Sequence, residues 1–339
     1  MKKIFIVLSA ISAISLFYAC HGNEEECAQI ESGTVWLDTD GRPINAHGGG
    51  IMFHDGVYYW YGEYKGDSTY LLKDVDTWEC WRADAGGVSC YSSDNLSDWK
   101  FEGIALATEP EDSSSELHPS QVIERPKVIY NDSTGKFVMW MHIESPDYEK
   151  AHAGVAVADS PVGPFRYLGS CHPNNADSRD QTIFKDDDGQ AYHIYSSEWN
   201  KTLYIGLLNA DYTAHTGLYT RNFEGLSREA PAVFKHKGRY YMITSGCTGW
   251  DPNVALVAVS DSMLGQWHIL GNPCRGENAD STFFAQSTFV LPVEGMAYSH
   301  IAMFDRWNKT NLIDSRYVWL PLVFEGDMPV VEWKEKWEL

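Results

Sequence analysis

The sequence predicts an all-β fold, a five-bladed β-propeller, on three observations. The first is a recurring frame. Glu229 stands nine positions before Gly238, Asp180 nine before Gly189, Gln286 nine before Gly295 and His47 nine before Gly56. Glu124 stands eleven before Gly135, across a longer turn. The second is what fills each frame. After Glu229, Val233-Phe234 leads to a turn at Lys237-Gly238 and then to Tyr240-Tyr241-Met242-Ile243, the β-branched and aromatic content of a hairpin. The third is spacing. Set aside an inserted stretch at 64–87, and the five frames recur about every 50 residues, as four-stranded blades do.

In chain order, Met1-Lys2-Lys3, the apolar run Ile4 to Tyr18 and Ala19-Cys20 read as a secretory signal over residues 1–19. Cys20 is expected to carry a lipid, and Glu24-Glu25-Glu26 resembles a surface-export tag of Gram-negative lipoproteins. The expected location is the periplasm or cell surface, with membrane attachment through the lipid alone. Residues 20–34 are expected to be a tether and 35–339 a single propeller domain, monomeric.

Blade one opens at His47-Gly48-Gly49-Gly50 and continues through Tyr58 to Glu63. The chain lacks a G-x-S-x-G elbow, so the glycines do not suit a lipase oxyanion loop. They suit close passage of the backbone past the channel or a ligand. Blade two runs from Glu124 to about Gly169, and the later blades open near Asp180, Glu229 and Gln286. Pro231 excludes a helix interior and biases Ala230 toward extended geometry. Trp99, Phe165 and Trp267 each follow a Ser-Asp or Ala-Asp pair and are expected to pack between blades. His142, His193 and His300 are expected on strands, packed or hydrogen-bonded. Asp186-Asp187-Asp188-Gly189 reads as a hairpin turn, because the spacing and closing glutamate of a calcium loop are missing. The six cysteines after Cys20 are even in number in an oxidising compartment. Cys80 and Cys90 are the expected pair. No C-x-x-C or H-E-x-x-H spacing occurs, so neither a metal nor a cofactor is expected.

The 339 residues are 44% hydrophobic and 14% aromatic, enough for one large core. The excess of 47 acidic over 26 basic residues, net −21, disfavours nucleic acid as a partner. In a propeller the first strand of each blade lines the central channel. His47, Glu124, Asp180, Glu229 and Gln286 should therefore converge at one mouth. A lone acid at a strand end is most simply a solvated rim residue. Three acids and an amide in one register point to chemistry that needs separated pKa values.

These residues resemble glycoside hydrolase family 43 over essentially all of 35–339. Asp180, in Ser178-Arg179-Asp180-Gln181-Thr182, matches the aspartate that tunes the acid. Glu229, in Arg228-Glu229-Ala230-Pro231, matches the general acid. The family's usual aspartate base is absent, since the His47 region holds none. That departure resembles the exo-β-1,3-galactanase subgroup, with His47 to Gly50, Glu124 to Lys127 and Gln286 to Thr288 as its patterns. The resemblance implies an inverting enzyme that releases galactose from β-1,3-galactan, an oligo- or polysaccharide substrate. It implies Glu124 or Gln286 in water activation, and His47, Glu63, Tyr148, Asn200, Thr248 and Trp250 as substrate contacts. An α-L-arabinofuranosidase or β-galactofuranosidase is the neighbouring alternative. A non-catalytic carbohydrate-binding propeller is the alternative of another class.

Overall fold

The computed structural model describes residues 29–75, 77–293 and 298–339. The signal segment, Cys20, Cys27 and the Gly295 turn lie outside them. The chain forms five sheets around a channel. Four have four strands in sequence order, and the fifth has five. The inner strands are His47–His54, Val122–Asn131, Gln181–Lys185, Arg228–His236 and Gln286–Pro292, and each adjoins the next around a closed ring. This is the predicted five-bladed propeller.

Closure differs from a simple count of frames. The last sheet adds Cys274–Arg275, parallel to Met328–Glu332. Gln29–Glu31, expected within a tether, pairs antiparallel with Lys336–Glu338. The two ends of the described chain thus meet in a separate two-stranded sheet, whose Ile30 and Trp337 pack in the apolar cluster between blades five and one.

The core is five apolar clusters, one between each pair of neighbouring blades. Trp99, Phe165 and Trp267 are all buried in these clusters, as expected. Trp99 packs edge to face on both Trp60 and Trp319, which meet each other at a tilt, between blades five and one. Strand alternation explains the arrangement, since each sheet offers one face to either neighbour. His142, His193 and His300 lie on strands and are buried.

The stretch 64–87 is mostly strand. Val57–Leu71 and Trp81–Ser93 pair as one long hairpin, with Lys65 opposite Ala85 and Leu71 opposite Trp81. Its tip reaches across the channel mouth. The Glu79 carbonyl accepts from Trp250 Nε1 at 2.9 Å, the Glu79 carboxylate pairs with Lys309, and Leu312 N donates to Thr69 Oγ1 at 2.8 Å. This arm also overturns the expected Cys80–Cys90 disulfide, because both thiols are free and buried. Cys80 immediately precedes the strand Trp81–Ser93 and Cys90 lies near its far end, and at ~3.3 Å per extended residue they are far beyond the ~7 Å Cα separation a disulfide spans.

Candidate active site

Four of the five inner strands carry a bulge just after the residue that opens the site. The register shifts between His47 and Gly50, Glu124 and Lys127, Glu229 and Ala232, and Ser287 and Phe289. A bulge re-aims the side chain beside it. In three strands the residue after the polar one is left-handed: Gly48 at φ 62°, Arg125 at 53° and Ala230 at 51°. Ala230 therefore departs from the extended geometry expected before Pro231. The turned backbone leaves its amide free to donate to Asp180 Oδ2 at 3.1 Å. At blade one the same bulge needs glycine. A Cβ on Gly49 would lie 1.8 Å from the Tyr61 carbonyl oxygen.

Arg125 organises the mouth. Its Nε and Nη2 hold Asp180 at 3.1 and 3.0 Å, Nη2 donates to Gln286 Oε1 at 2.6 Å, and Nη1 donates to the Ser287 carbonyl at 3.1 Å. Blades two, three and five are thus locked by one guanidinium, a planar fork suited to such multiple contacts. Gln286 is saturated. Its Oε1 also accepts from Trp307 Nε1 at 2.9 Å, and its Nε2 donates to Glu229 Oε1 and Ser245 Oγ, both at 3.0 Å.

Glu229 receives a second donor, Asn200 Nδ2, at 3.2 Å on Oε2. It is 8% exposed. Its pKa is pushed up to about 8, first by burial and then by the Asp180 charge, against the opposing pull of Cys247, Arg125 and Gln286. A carboxyl still protonated at neutral pH is what proton donation to a leaving oxygen requires.

Glu124 has the opposite environment. Its Oε2 lies 3.2 Å from His142 Nδ1, and Tyr148 donates to Oε1 at 2.8 Å. Burial works to raise its pKa, but His142, Lys65 and Tyr148 outweigh that and hold it down at about 2. His142 sits between Glu124 and Glu144. Burial lowers its pKa, yet the two carboxylates carry it up to about 9. Two glutamates on facing blades are thus driven to opposite protonation states.

Of the remaining expected contacts, Glu63 is buried, bonded to Lys65 Nζ and to the Arg125 amide at 2.9 Å. Tyr148 and Trp250 line the mouth, with Trp78 edge-on to Tyr148 at 5.3 Å and Trp307 edge-on to Trp250 at 5.9 Å. Thr248 is exposed, its hydroxyl donating to the Asp251 carbonyl within its own loop. His47 has no exposed surface. It stacks on Tyr317 at 4.6 Å, and burial pulls its pKa down to about 3. It underlies the site as a neutral ring. A cleft of about 250 Å³ opens beside Trp250, Gln286 and Trp307.

Arg125, His142, Asp305, Trp78 and Trp307 were not singled out as site residues from sequence. Asp305 accepts from the Gly48 amide at 3.0 Å, and burial pushes its pKa up to about 7. It lies on the second strand of its blade, outside the frame that located the other acids. Arg125 lay inside a quoted motif, directly after Glu124, and that adjacency was its one available signal.

The profile of glycosyl hydrolases family 43 matches residues 51–282. A family-43 β-1,3-galactosidase solved with galactodeoxynojirimycin is 45% identical, with 91% of this chain and 100% of that one aligned and a TM-score of 0.84. An exo-β-1,3-galactanase from Phanerochaete chrysosporium, solved with galactose, is 36% identical over 92% of this chain and 68% of its own, at a TM-score of 0.81. An exo-β-1,3-galactanase from Clostridium thermocellum is 38% identical over 91% and 66%, at 0.80. No curated protein matched the chain. The profile and the solved structures agree, and the chain belongs to glycosyl hydrolases family 43.

Proposed function

We propose that the protein is an exo-acting, inverting β-1,3-galactosidase that releases galactose from β-1,3-galactan, as in arabinogalactan backbones. The observation that carries this is the Glu229 carboxyl, held near pKa 8 beside Asp180, in a chain 45% identical to a β-1,3-galactosidase. Glu229 protonates the glycosidic oxygen. Asp180 keeps Glu229 protonated and stays fixed by Arg125. Glu124 and Gln286 bind the terminal sugar and the attacking water. Tyr148, Trp250, Asn200, Glu63 and Thr248 shape the pocket, with His47 supporting it from below. The hairpin arm that bridges to Trp250, Lys309 and Leu312 supports action at chain ends, because it walls one side of the mouth.

Galactose release from β-1,3-galactobiose and β-1,3-galactan tests the reading. Cleavage of an aryl α-L-arabinofuranoside instead would favour the neighbouring specificity. Sugar binding without cleavage of either would favour a carbohydrate-binding role.

Asp180→Asn is expected to lower turnover and move the alkaline limb of the pH–rate profile downward. A general acid loses activity as pH rises through its pKa. Removing the Asp180 charge takes away one of the causes that raise Glu229, while burial, the larger cause, remains. The limb should therefore shift toward neutral pH and stay above the ordinary carboxylate range. An unmoved limb at full rate would remove Asp180 from the mechanism.

The proposal extends to the amino terminus, where Ala19-Cys20 after an apolar run supports lipidation of Cys20. Cys20→Ser is expected to move the protein from the membrane fraction to the soluble fraction. Unchanged partition would count against the anchor.

A further inference from the structure

Trp199 is the most exposed large apolar side chain on the described surface, at 61%. It sits in the middle of three consecutive left-handed residues, Glu198 at φ 55°, Trp199 at 57° and Asn200 at 60°. Such a run is costly for non-glycine residues and persists only where surroundings enforce it. Here they do. The Asp177 carboxylate accepts from Glu198 N at 2.7 Å, Trp199 N at 3.1 Å and Ser197 Oγ at 2.9 Å, and pairs with Arg179. Glu198 is tied outward to Thr202 at 2.7 Å and Arg221 at 2.6 Å. Asn200 is tied inward to Glu229 Oε2. The Arg179 guanidinium lies 4.4 Å from the centre of the indole ring. The ring is thus rigidly presented, with a cation on one face and most of its surface open to solvent.

Its position has a chemical meaning. Glu229 delivers its proton to the glycosidic oxygen, so the departing sugar must lie against the side of the site where Glu229 sits. Trp199 is the residue before Asn200, which touches Glu229. A β-galactopyranosyl unit has an axial O4, which leaves the C–H bonds at C3, C4 and C5 together on one face. That apolar patch matches a flat, rigid aromatic surface. Resting on the galactosidase reading, we propose that Trp199 is the platform of the leaving-group subsite and stacks on the second galactosyl residue of the substrate. The clamped turn means the platform is formed before substrate arrives, which limits the ordering cost of binding.

The experiment compares two substrates on wild type, Trp199→Ala and Trp199→Phe. β-1,3-Galactobiose places a sugar on the platform. β-Galactosyl fluoride places none. Trp199→Ala is expected to lower kcat/KM for galactobiose about tenfold, mainly through KM. It should leave the fluoride reaction and the alkaline limb for galactobiose unchanged. Trp199→Phe should recover most of the loss. A disturbance passed through Asn200 to Glu229 would instead move the alkaline limb, and that result overturns the inference. So does an equal loss on both substrates, or no loss on galactobiose. A wild-type enzyme that cleaves neither substrate would sink the galactosidase reading and this inference with it. Wild-type cleavage of both, with a variant that does not discriminate, would sink the inference alone.

Discussion

Glu229→Gln is expected to reduce galactose release from β-1,3-galactobiose by ~10²–10⁴-fold, the usual contribution of general acid catalysis. The natural leaving group departs as an alkoxide unless it is protonated, and Gln cannot supply the proton. A dinitrophenyl β-galactoside leaves as a stable anion and needs little help, so its hydrolysis should fall far less. Equal losses on both substrates would show that Glu229 is not the acid. The same substitution carries a stability signature of opposite sign. Glu229 is raised from 4.5 to about 8 in the folded protein. A carboxyl raised on folding binds its proton more tightly in the native state, so stability falls as pH climbs from the unfolded value through the folded one. At about 1.4 kcal/mol per pKa unit, the buried acid costs roughly 4–5 kcal/mol by pH 8. Gln keeps one acceptor oxygen for Gln286 Nε2, its amide nitrogen can donate to the otherwise unpartnered Asn200 Oδ1 once that amide turns over, and it carries no charge to desolvate. The variant should therefore melt higher than wild type at pH 8, with the difference shrinking toward pH 5. A variant that loses activity and also melts lower at pH 8 would point to collapse of the site rather than loss of a proton donor.

The propeller was legible because its repeat is written in polar residues at strand starts and glycines at turns, both of which have fixed backbone meaning. The convergence of Glu124, Asp180, Glu229 and Gln286 followed from the same register. The structure brings three of them into one network through Arg125 and Gln286. The bulges were not legible. Pro231 argued for extended Ala230, yet Ala230 is left-handed because its amide is recruited by Asp180 across two blades. Such a contact joins residues 50 positions apart, and local preference does not encode it. The arm over residues 64–87 was hidden for a similar reason. Its strands pair with each other, while its tip packs on Trp250 and Lys309 from other blades. His142 illustrates a third case. It was placed correctly on a buried strand, but its partnership with Glu124 and Glu144 depends on which face of that strand meets the channel. Sequence period alone gives two faces and does not say which acid each will meet.

The largest remaining effect concerns the water. Blade one opens at His47 and offers no aspartate base there, and His47 is buried against Tyr317 with no exposed surface. Two groups are left, and each has one property for the task and one against it. Glu124 is a carboxylate, but His142, Lys65 and Tyr148 hold its pKa near 2, which makes it a weak proton acceptor and a firm acceptor of sugar or water O–H bonds. Gln286 touches Glu229 and so stands beside the reacting bond, but its Oε1 faces only the donors Arg125 and Trp307. Those donors stabilise the ordinary carbonyl and oppose a hydroxyl tautomer. Glu124→Gln and Gln286→Ala are each expected to reduce turnover on galactobiose by ~10²–10⁴-fold, because both position the same water. Azide then separates them. A small anion can occupy the space vacated in an alanine variant and attack the anomeric carbon itself. Rescue confined to Glu124→Ala assigns proton removal to Glu124. Rescue confined to Gln286→Ala assigns the water to Gln286. Full activity in either variant removes that residue from the step. Stereochemistry tests the frame in which both stand. Inversion requires room for a water between the acid and the opposite group, ~6.5–9.5 Å, whereas a covalent intermediate requires a carboxylate ~5–5.5 Å from the acid. The groups that contact Glu229 directly are the amides of Asn200 and Gln286 and the Cys247 thiol, which burial and the Glu229 charge keep protonated, and none of these is a carboxylate able to form a glycosyl ester. Proton NMR of the first-formed sugar should therefore show α-galactose from a β-linked substrate. First-formed β-galactose would mean a covalent intermediate, with Glu124 as the carboxylate to trap.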